Sequence, residues 1–212
     1  MKIEVDSMSK YIFTIGYSGF SIEEFIKSLK QYNINVVIDV RSSAYSERYP
    51  DYNKPNIENI LKANRIYYRN YVTEFGARQD DLSFYNEDGY LDFEKFSKSE
   101  QFQLGVKKIC NSIEQGYKVA LMCAEKKPIQ CHRTILVART FHEKGFKVIH
   151  IIPGGKYITQ NQVEEELLNT YFPQRGQLSL FSSSNITDEE CICEAYRLQN
   201  KKIGYRKEDD SE

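Results

Sequence analysis

Short apolar segments alternate along the chain with segments whose apolar residues recur at helical spacing. The apolar segments are YIFTIGYS (11–18), NVVIDVR (35–41), RIYYRNY (65–71), YKVALMCA (117–124) and KVIHII (147–152). The segments with helical spacing are SIEEFIKSLKQY (21–32), NIENILKAN (56–64), SEQFQLGVKKICNSIEQG (99–116) and a stretch from about 132 to 144. This alternation predicts a mostly parallel sheet with helices on both faces, a Rossmann-like three-layer α/β fold.

The composition divides the chain into three parts. Residues 1–172 carry the alternating pattern and form the predicted α/β domain. Residues 173–190 are polar and rich in serine, which predicts a flexible linker. Residues 191–212 predict a short helical tail that frays at its end. The apolar side of this tail consists of Cys191, Ala195 and Leu198.

Composition limits the classes of function. The chain has 212 residues and a net charge of -1, so no overall basic field draws it to nucleic acid, and any such contact needs a local patch or a tether. No segment is apolar and long enough for a signal peptide or a membrane span, so we expect a cytoplasmic protein with no membrane contact. Five cysteines in a reducing compartment predict thiols and not disulfides.

Polar side chains follow three of the predicted strands. Because ligands bind beyond the carboxyl ends of parallel strands, we expect these side chains to share one site. The candidate catalytic residues are Glu125, Asp39, Cys131 and His132. The candidate substrate- or phosphate-binding residues are Tyr17, Ser18, Arg41, Arg133 and Cys123. Asp39 and Arg41 lie on one side of a strand, where an ordinary ion pair and a functional role are equally consistent with the pattern.

The stretch CAEKKPIQCHR (123–133) allows four interpretations: a metal site, a nucleophile, an anion-binding turn or a plain polar turn. A metal site would use Cys123, Cys131 and His132 with Cys191 or Cys193. Seven residues separate the first two cysteines, which fits no common zinc motif, so we expect no metal and no cofactor. The helix start at 132–133 suits an anion better, because amide donors and a guanidinium favour negative charge there.

Two side chains in this stretch are candidates for catalysis. Cys131 precedes a helix and Arg133, which lowers a thiol pKa. Phosphatase and sulfurtransferase loops need an arginine six residues after the cysteine, however, and Val137 stands there. Glu125 is placed for acid–base work or for attack at a sugar carbon, although a solvated turn beside two lysines explains it equally well.

The order of these motifs resembles a known family. TIGYSG (14–19), DVR (39–41) and MCAEKKPIQCHR (122–133) are similar to the motifs of the domain of unknown function 488 family. Tyr17 stands where many members have histidine, which argues against a role for an imidazole there. The resemblance covers roughly residues 11 to 155 and implies a compact α/β domain with one pocket. It implies no particular reaction.

The insert after the second predicted strand interleaves tyrosine with basic residues. Aromatic faces and guanidinium groups suit single-stranded or extruded nucleotides, although packing of the core and rim explains tyrosines equally well. The arginines are Arg41, Arg48, Arg65, Arg69 and Arg78. Three hypotheses follow: an enzyme of repair or defence acting on a nucleotide, with DNA favoured over RNA; an adaptor that binds DNA without chemistry; and a thiol-dependent enzyme using Cys131.

The polar linker contains the segment QLSLF. It resembles the peptide with which bacterial replication and repair proteins bind the β sliding clamp, where Gln177 would be the anchor. The apolar residues entering the groove of the clamp would be Leu178, Leu180 and Phe181. Docking on a ring around DNA raises local concentration without new contacts. Packing of the same segment on the domain as an edge strand is the alternative.

We predict that the intact protein binds the bacterial clamp weakly. Replacing Leu180 and Phe181 together by alanine should abolish this binding and leave the thermal midpoint unchanged. Surface plasmon resonance with immobilised clamp and a thermal melt measure the two quantities. A marked drop in the thermal midpoint would place the segment in the core and contradict the clamp hypothesis.

Overall fold

A six-stranded sheet forms the centre of the fold. The computed structural model of the chain describes residues 10–174 and 187–207. The strands are β1 (Tyr11–Gly16), β2 (Val36–Asp39), β3 (Tyr67–Asn70), β4 (Val119–Cys123), β5 (Lys147–Ile152) and β6 (Lys156–Thr159). Their order is β3-β2-β4-β1-β5-β6, and all neighbours pair in parallel except β5 and β6. The predicted mostly parallel sheet is confirmed.

The strand register aligns the ends of the three central strands. Gly16 of β1 pairs with Cys123 of β4, and Asp39 of β2 pairs with Met122 of β4. Because these strands are parallel, their carboxyl ends lie side by side at one edge of the sheet. The chain segments that leave β1, β2 and β4 therefore begin next to one another.

Helices cover both faces of the sheet, as the sequence predicts. They are α1 (Ile22–Gln31), α2 (Lys54–Ala63), α3 (Val72–Phe75), α4 (Phe93–Ser97), α5 (Glu100–Glu114), α6 (Arg139–Glu143), α7 (Gln160–Tyr171) and α8 (Asp188–Ile203). Alternate strand residues point to opposite faces. Phe13 of β1 therefore packs in one apolar cluster with α1 and α2, whereas Ile12 packs in the other with α5 and α6.

A π-helical segment, Arg133–Ala138, runs directly into α6. All six of its residues are buried. The amides of Thr134 and Ile135 both bond to the carbonyl of Cys131. Wider π-helical turns are rare and often occur at functional sites. This one begins at Arg133, the last residue of the stretch CAEKKPIQCHR (123–133).

The hydrophobic pattern does not predict β6 or α7. The sequence of β6, KYIT, has no buried residue and lacks the continuous apolar run of the other strands. It pairs with β5 through a tight turn in which Gly154 and Gly155 have φ values of 81° and 69°. Such left-handed φ values favour glycine. The edge strand is therefore specified by its turn more than by its own side chains.

The C-terminal helix α8 packs on the domain. It begins at Asp188, after a capping box formed by Thr187 and Glu190, and so starts earlier than the predicted residue 191. Of the predicted apolar residues, Cys191 and Ala195 are buried and Leu198 is only half-buried. The segment 175–186, which includes the proposed clamp-binding residues Gln177 to Phe181, lies outside the described residues.

Within the described ranges, no helix combines the length and the apolar character needed to cross a membrane.

Asn200 joins α8 to the body of the domain. Its side chain accepts a bond from the amide of Phe93 at 2.9 Å and donates to the carbonyl of Leu91 at 2.9 Å, and both bonds are buried. We predict that Asn200→Ala lowers the free energy of unfolding by about 2–4 kcal/mol, because two buried backbone groups lose their partners. Lys202→Ala, an exposed change on the same helix, is the control and should stay within about 0.5 kcal/mol.

Urea unfolding of both variants measures these changes. If the two variants unfold at the same urea concentration, α8 does not belong to the cooperative unit of the domain.

Candidate functional site

A polar cavity of about 410 Å³ opens at the carboxyl edge of the sheet. Its walls include a tyrosine after β1, an arginine after β2 and the acidic turn after β4. The predicted site residues that line it are Tyr17, Arg41, Cys123, Glu125 and His132, together with Arg78 from the insert. The strand register thus brings together residues that are more than a hundred positions apart in sequence.

Asp39 holds Arg41 in place beneath the cavity. The Asp39 carboxylate is fully buried, and its two oxygens accept bonds from Arg41 Nη2 at 2.6 Å and from Arg41 Nε at 2.8 Å. The hydroxyl of Tyr68 also donates to Asp39 at 2.7 Å. Burial alone would lower the pKa of Arg41, but the bond to Asp39 raises it above its usual range. Asp39 is thus placed to orient Arg41 and does not line the cavity.

Arg41 in turn contacts Tyr17. Its Nη1 donates to the Tyr17 hydroxyl at 3.3 Å, and its guanidinium lies 5.2 Å from the centre of the Tyr17 ring. Tyr17 stacks on Tyr52 with ring centres 4.2 Å apart. On this side of the cavity Tyr17, backed by Tyr52, therefore lies beside the positive charge of Arg41.

Glu125 contacts two thiols. Its Oε2 lies 2.8 Å from Cys131 Sγ and 3.0 Å from Cys123 Sγ. The imidazole of His132 completes the group, with Nδ1 3.8 Å from Cys123 Sγ and Nε2 2.8 Å from the Val40 carbonyl. We call these four residues, Cys123, Glu125, Cys131 and His132, the thiol–carboxylate cluster. One donor atom from each of them lies within 4.8 Å of the other three.

The cluster shifts the proton affinities of its own members. Burial and Cys131 raise the pKa of Glu125. Burial also raises the pKa of Cys123. Burial alone would raise the pKa of Cys131 too, but a hydrogen bond from Cys123 and the charges of Arg133 and His132 lower it well below its usual value. These shifts favour ionisation of the Cys131 thiol over that of Cys123.

The pKa of His132 depends on the same two opposing effects, burial and the charges of its neighbours. Burial lowers its pKa, and the hydrogen bond with Cys131 more than offsets this effect, so the pKa is raised. The Nε2 hydrogen is committed to the Val40 carbonyl, which fixes the orientation of the ring. The remaining nitrogen, Nδ1, faces the thiols.

Arg133 supports the turn from behind. It is fully buried, and its Nη1 donates to the main-chain carbonyl of Glu125 at 2.6 Å. Gly16 permits this contact, because a Cβ there would overlap with that carbonyl and lie 2.8 Å from Arg133 Nη1. Among the described residues, Arg133 Nη2 has no hydrogen-bond partner. Arg133 does not line the cavity, so its guanidinium holds the turn instead of facing a substrate.

A chain of hydrogen bonds continues from Arg133 into the core. Arg133 Nε donates to Thr14 Oγ1 at 3.4 Å, and the Thr14 hydroxyl bonds to His150 Nδ1 at 2.8 Å. His150 Nε2 bonds to Gln160 Oε1 at 2.8 Å. Burial lowers the pKa of His150 to about 3, so its imidazole is neutral. No second positive charge therefore competes with Arg133 there.

Other candidates lie outside the cavity. The amide of Ser18 bonds to the Ala124 carbonyl at 3.0 Å, so it is not free for a phosphate. Arg48, Arg65 and Arg69 are exposed away from the cavity lining. Within the described part of the chain, neither Cys191 nor Cys193 joins the cluster that the structure groups around Glu125.

Several lining residues were not among the sequence candidates. They are Ser42, Ser43, Tyr45, Ser46, Gln130, Ile203 and Tyr205. The serines and Tyr45 follow Arg41 directly, and their polar, aromatic composition could have indicated them. Tyr205 carries no such signal. Its carbonyl accepts a bond from the amide of Leu91, and tertiary contacts of this kind bring the C-terminal segment to the cavity.

Comparison with known proteins gives one match. A protein-family model described as "Domain of unknown function DUF488" matches residues 21–140. The match contains the residues after β2 and the whole stretch from Cys123 to Arg133. Neither the search of curated proteins nor the search of solved structures found a match.

The Asp39–Arg41 pair generates a stability prediction. Asp39→Asn should lower the free energy of unfolding by about 3–5 kcal/mol, because Arg41 keeps its buried charge without a carboxylate. Asp80→Asn, at an exposed carboxylate in the segment after α3, should have an effect below about 0.5 kcal/mol. Guanidinium unfolding measures both. A wild-type unfolding curve for Asp39→Asn would mean that Asp39 does not hold Arg41 in solution.

Proposed function

The chain belongs to the DUF488 family, and we propose that it is an enzyme that binds a nucleotide of DNA in the cavity and hydrolyses it with Glu125 as the acid–base group. The observation that carries the proposal is the position of the Glu125 carboxylate in a cavity that also holds two guanidinium groups, those of Arg41 and Arg78. Acid–base chemistry and phosphate recognition are thereby combined in one place.

The dimensions of the cavity support a ligand of nucleotide size. Its volume of about 410 Å³ falls within the range of roughly 300–1,000 Å³ typical of small-molecule sites. A protein that only contacts the outside of a DNA duplex needs no such cavity, whereas a protein that encloses an extruded or single-stranded nucleotide does. The proposed substrate is therefore a nucleotide taken out of the base stack.

The rim offers surfaces for a base and for phosphates. Tyr45 is 65% exposed at the rim, which leaves its ring available for stacking. Arg78 lies 4.6 Å from the centre of the Tyr205 ring, so its charge is held over the opening by a cation–π contact. An aromatic ring and a positioned cation are what recognition of a nucleotide requires.

Glu125 is the residue best placed for the chemistry. It is exposed as a residue, so a substrate can reach it, yet its carboxylate packs against the two thiols. In hydrolysis of the bond between base and sugar, Glu125 would take a proton from water as the oxygen of that water bonds to the sugar carbon. The bond between base and sugar would break, and the departing base would take up the proton that Glu125 accepted. In hydrolytic deamination the water oxygen would instead bond to a ring carbon of the base, the bond from that carbon to the amino group would break, and the amino group would leave as ammonia with the proton from Glu125.

The two other hypotheses make different use of the same site. A binding adaptor would need Arg78, Tyr45 and Tyr205 but not Glu125. A thiol-dependent enzyme would use Cys131 as nucleophile, yet Cys131 is fully buried and is not part of the cavity lining. Its burial favours a supporting role over direct attack on a substrate.

The net charge of -1 makes binding to DNA depend on this local patch and on a tether. The proposed clamp-binding segment would supply such a tether. A role in DNA repair is the process most consistent with an extruded nucleotide and a clamp contact, and we include it in the proposal.

We predict that Glu125→Gln reduces turnover at least about a hundredfold, because loss of an acid–base group typically has that effect. Glu87→Gln, an exposed change outside the cavity, should retain the wild-type rate. Single- and double-stranded oligonucleotides with deaminated, alkylated or oxidised bases serve as substrates, and mass spectrometry detects base loss or base change. Equal turnover by Glu125→Gln and the wild type would exclude the proposed role.

Binding of the same oligonucleotides separates enzyme from adaptor. Arg78→Ala should weaken binding about tenfold, whereas the exposed Lys27→Ala, on α1 outside the cavity, should not. Binding that depends on Arg78 without any product from any substrate would favour the adaptor.

A further inference from the structure

The thiol–carboxylate cluster has the composition of a metal site. We propose that Cys123, Cys131 and His132 hold a divalent transition-metal ion, with Zn²⁺ as the expected species, and that Glu125 stands beside its pocket-facing position. Two sulfurs and an imidazole nitrogen are donors that zinc prefers. The sequence argues against this interpretation because of the gap between the cysteines, and the folded geometry reverses that argument.

The distances fit a single ion. Bond lengths of about 2.0–2.3 Å in a tetrahedral site place pairs of ligand atoms roughly 3–4 Å apart. Cys123 Sγ lies 3.8 Å from His132 Nδ1, and one donor atom from each member of the cluster lies within 4.8 Å of the others. Small movements of these side chains would bring their donor atoms around one metal ion.

His132 is oriented as a metal ligand would be. Its Nε2 is 2.8 Å from the Val40 carbonyl, which leaves Nδ1 directed at the thiols. Metal-bound histidines usually donate their second ring nitrogen to a carbonyl or carboxylate in this way, which fixes the tautomer. A histidine serving only to fill the core would not need its free nitrogen beside two cysteines.

Burial distinguishes the three proposed ligands from Glu125. Cys123, Cys131 and His132 are 2%, 0% and 8% exposed, whereas Glu125 is exposed. Structural zinc sites are closed by four protein ligands, and catalytic sites keep one position open toward substrate. Three buried donors, with the exposed Glu125 on the cavity side, match the open kind.

The turn between the two cysteines is built to bring them together. A short 3₁₀ helix, Pro128–Gln130, ends with the Cys131 amide bonded to the Pro128 carbonyl at 3.1 Å. From α8, Gln199 Nε2 donates to the Ile129 carbonyl at 2.6 Å in a buried bond. The spacing that fits no short zinc motif is therefore closed by local helical structure and by a contact from the C-terminal helix.

A metal ion at this site would extend the proposed function, and the catalytic role of the ion rests on that function. A zinc ion in such a site polarises a bound water at neutral pH, and Glu125 would be the adjacent group that takes its proton. In deaminases that act on nucleic-acid bases, a zinc ion held by His and Cys ligands works with a glutamate that is not a ligand. Occupancy of the site is measurable without any substrate.

The experiment measures the metal content of the full-length protein. Elemental analysis of protein purified without chelator should give about one zinc ion per chain. Cys123→Ser and Cys131→Ser should each reduce this content at least tenfold. Cys193→Ser, an exposed cysteine outside the cluster, is the matched control and should keep it. Glu125→Gln should also keep it, because three buried ligands remain.

Wild-type protein stripped with chelator provides a test that needs no variant to fold. Titration with Co²⁺ should produce a thiolate-to-cobalt charge-transfer band that saturates at about one equivalent. Absence of stoichiometric zinc together with absence of that band would overturn the proposal. Full zinc content in a folded Cys131→Ser, or its loss in Cys193→Ser, would overturn it as well.

The two proposals fail separately in these measurements. Zinc that depends on the cluster, in a protein that turns over no oligonucleotide, would uphold the metal site and contradict the proposed function. Turnover that depends on Glu125 in a protein without metal would do the reverse.

Discussion

The parallel register of β1, β4 and β2 is the constraint on which the site depends. It places Gly16, Asp39 and Cys123 side by side, so three turns leave the sheet at one edge. Packing at this edge is tight enough that Gly16 tolerates no side chain, because the Glu125 carbonyl occupies that space. A shift of one residue in the register would exchange the buried and exposed faces of a strand and separate these turns.

Buried polar groups give this edge its rigidity. Asp39 fixes Arg41 through two bonds, and Arg133 fixes the main chain at Glu125. Each of these groups is costly to bury without a partner, so the arrangement is stable only when every member is present. The same bonds leave two features facing the cavity, a positive charge on Arg41 and a carboxylate on Glu125. The buried bonds of Asp39 and Arg133 therefore both hold this edge of the sheet in place and position the groups used in the proposed chemistry.

Local patterns predict much of the fold and fewer of the contacts. Apolar runs and helix-ending glycines such as Gly116 identify the central strands and helices. This is possible because residues close together in the sequence determine which segments are buried and where a helix ends. The parallel arrangement of the strands also predicts the edge that holds Glu125 and Arg41. The turn at Gly154 and Gly155 specifies the edge strand β6, whereas the position of Tyr205 depends on contacts between distant segments. The approach of Cys123 to Cys131 is of the same kind, since a 3₁₀ turn and Gln199 close a gap that sequence spacing alone leaves open.

The central claim is that the cavity beside Glu125 receives a nucleotide. A crystal structure of Glu125→Gln with a short single-stranded oligonucleotide tests it most directly, because the variant retains a side chain of the same size and should not consume its ligand. The account predicts one base inside the cavity, within hydrogen-bonding distance of residue 125, and a phosphate beside Arg78. A cavity that remains empty while the oligonucleotide binds at another surface would contradict it.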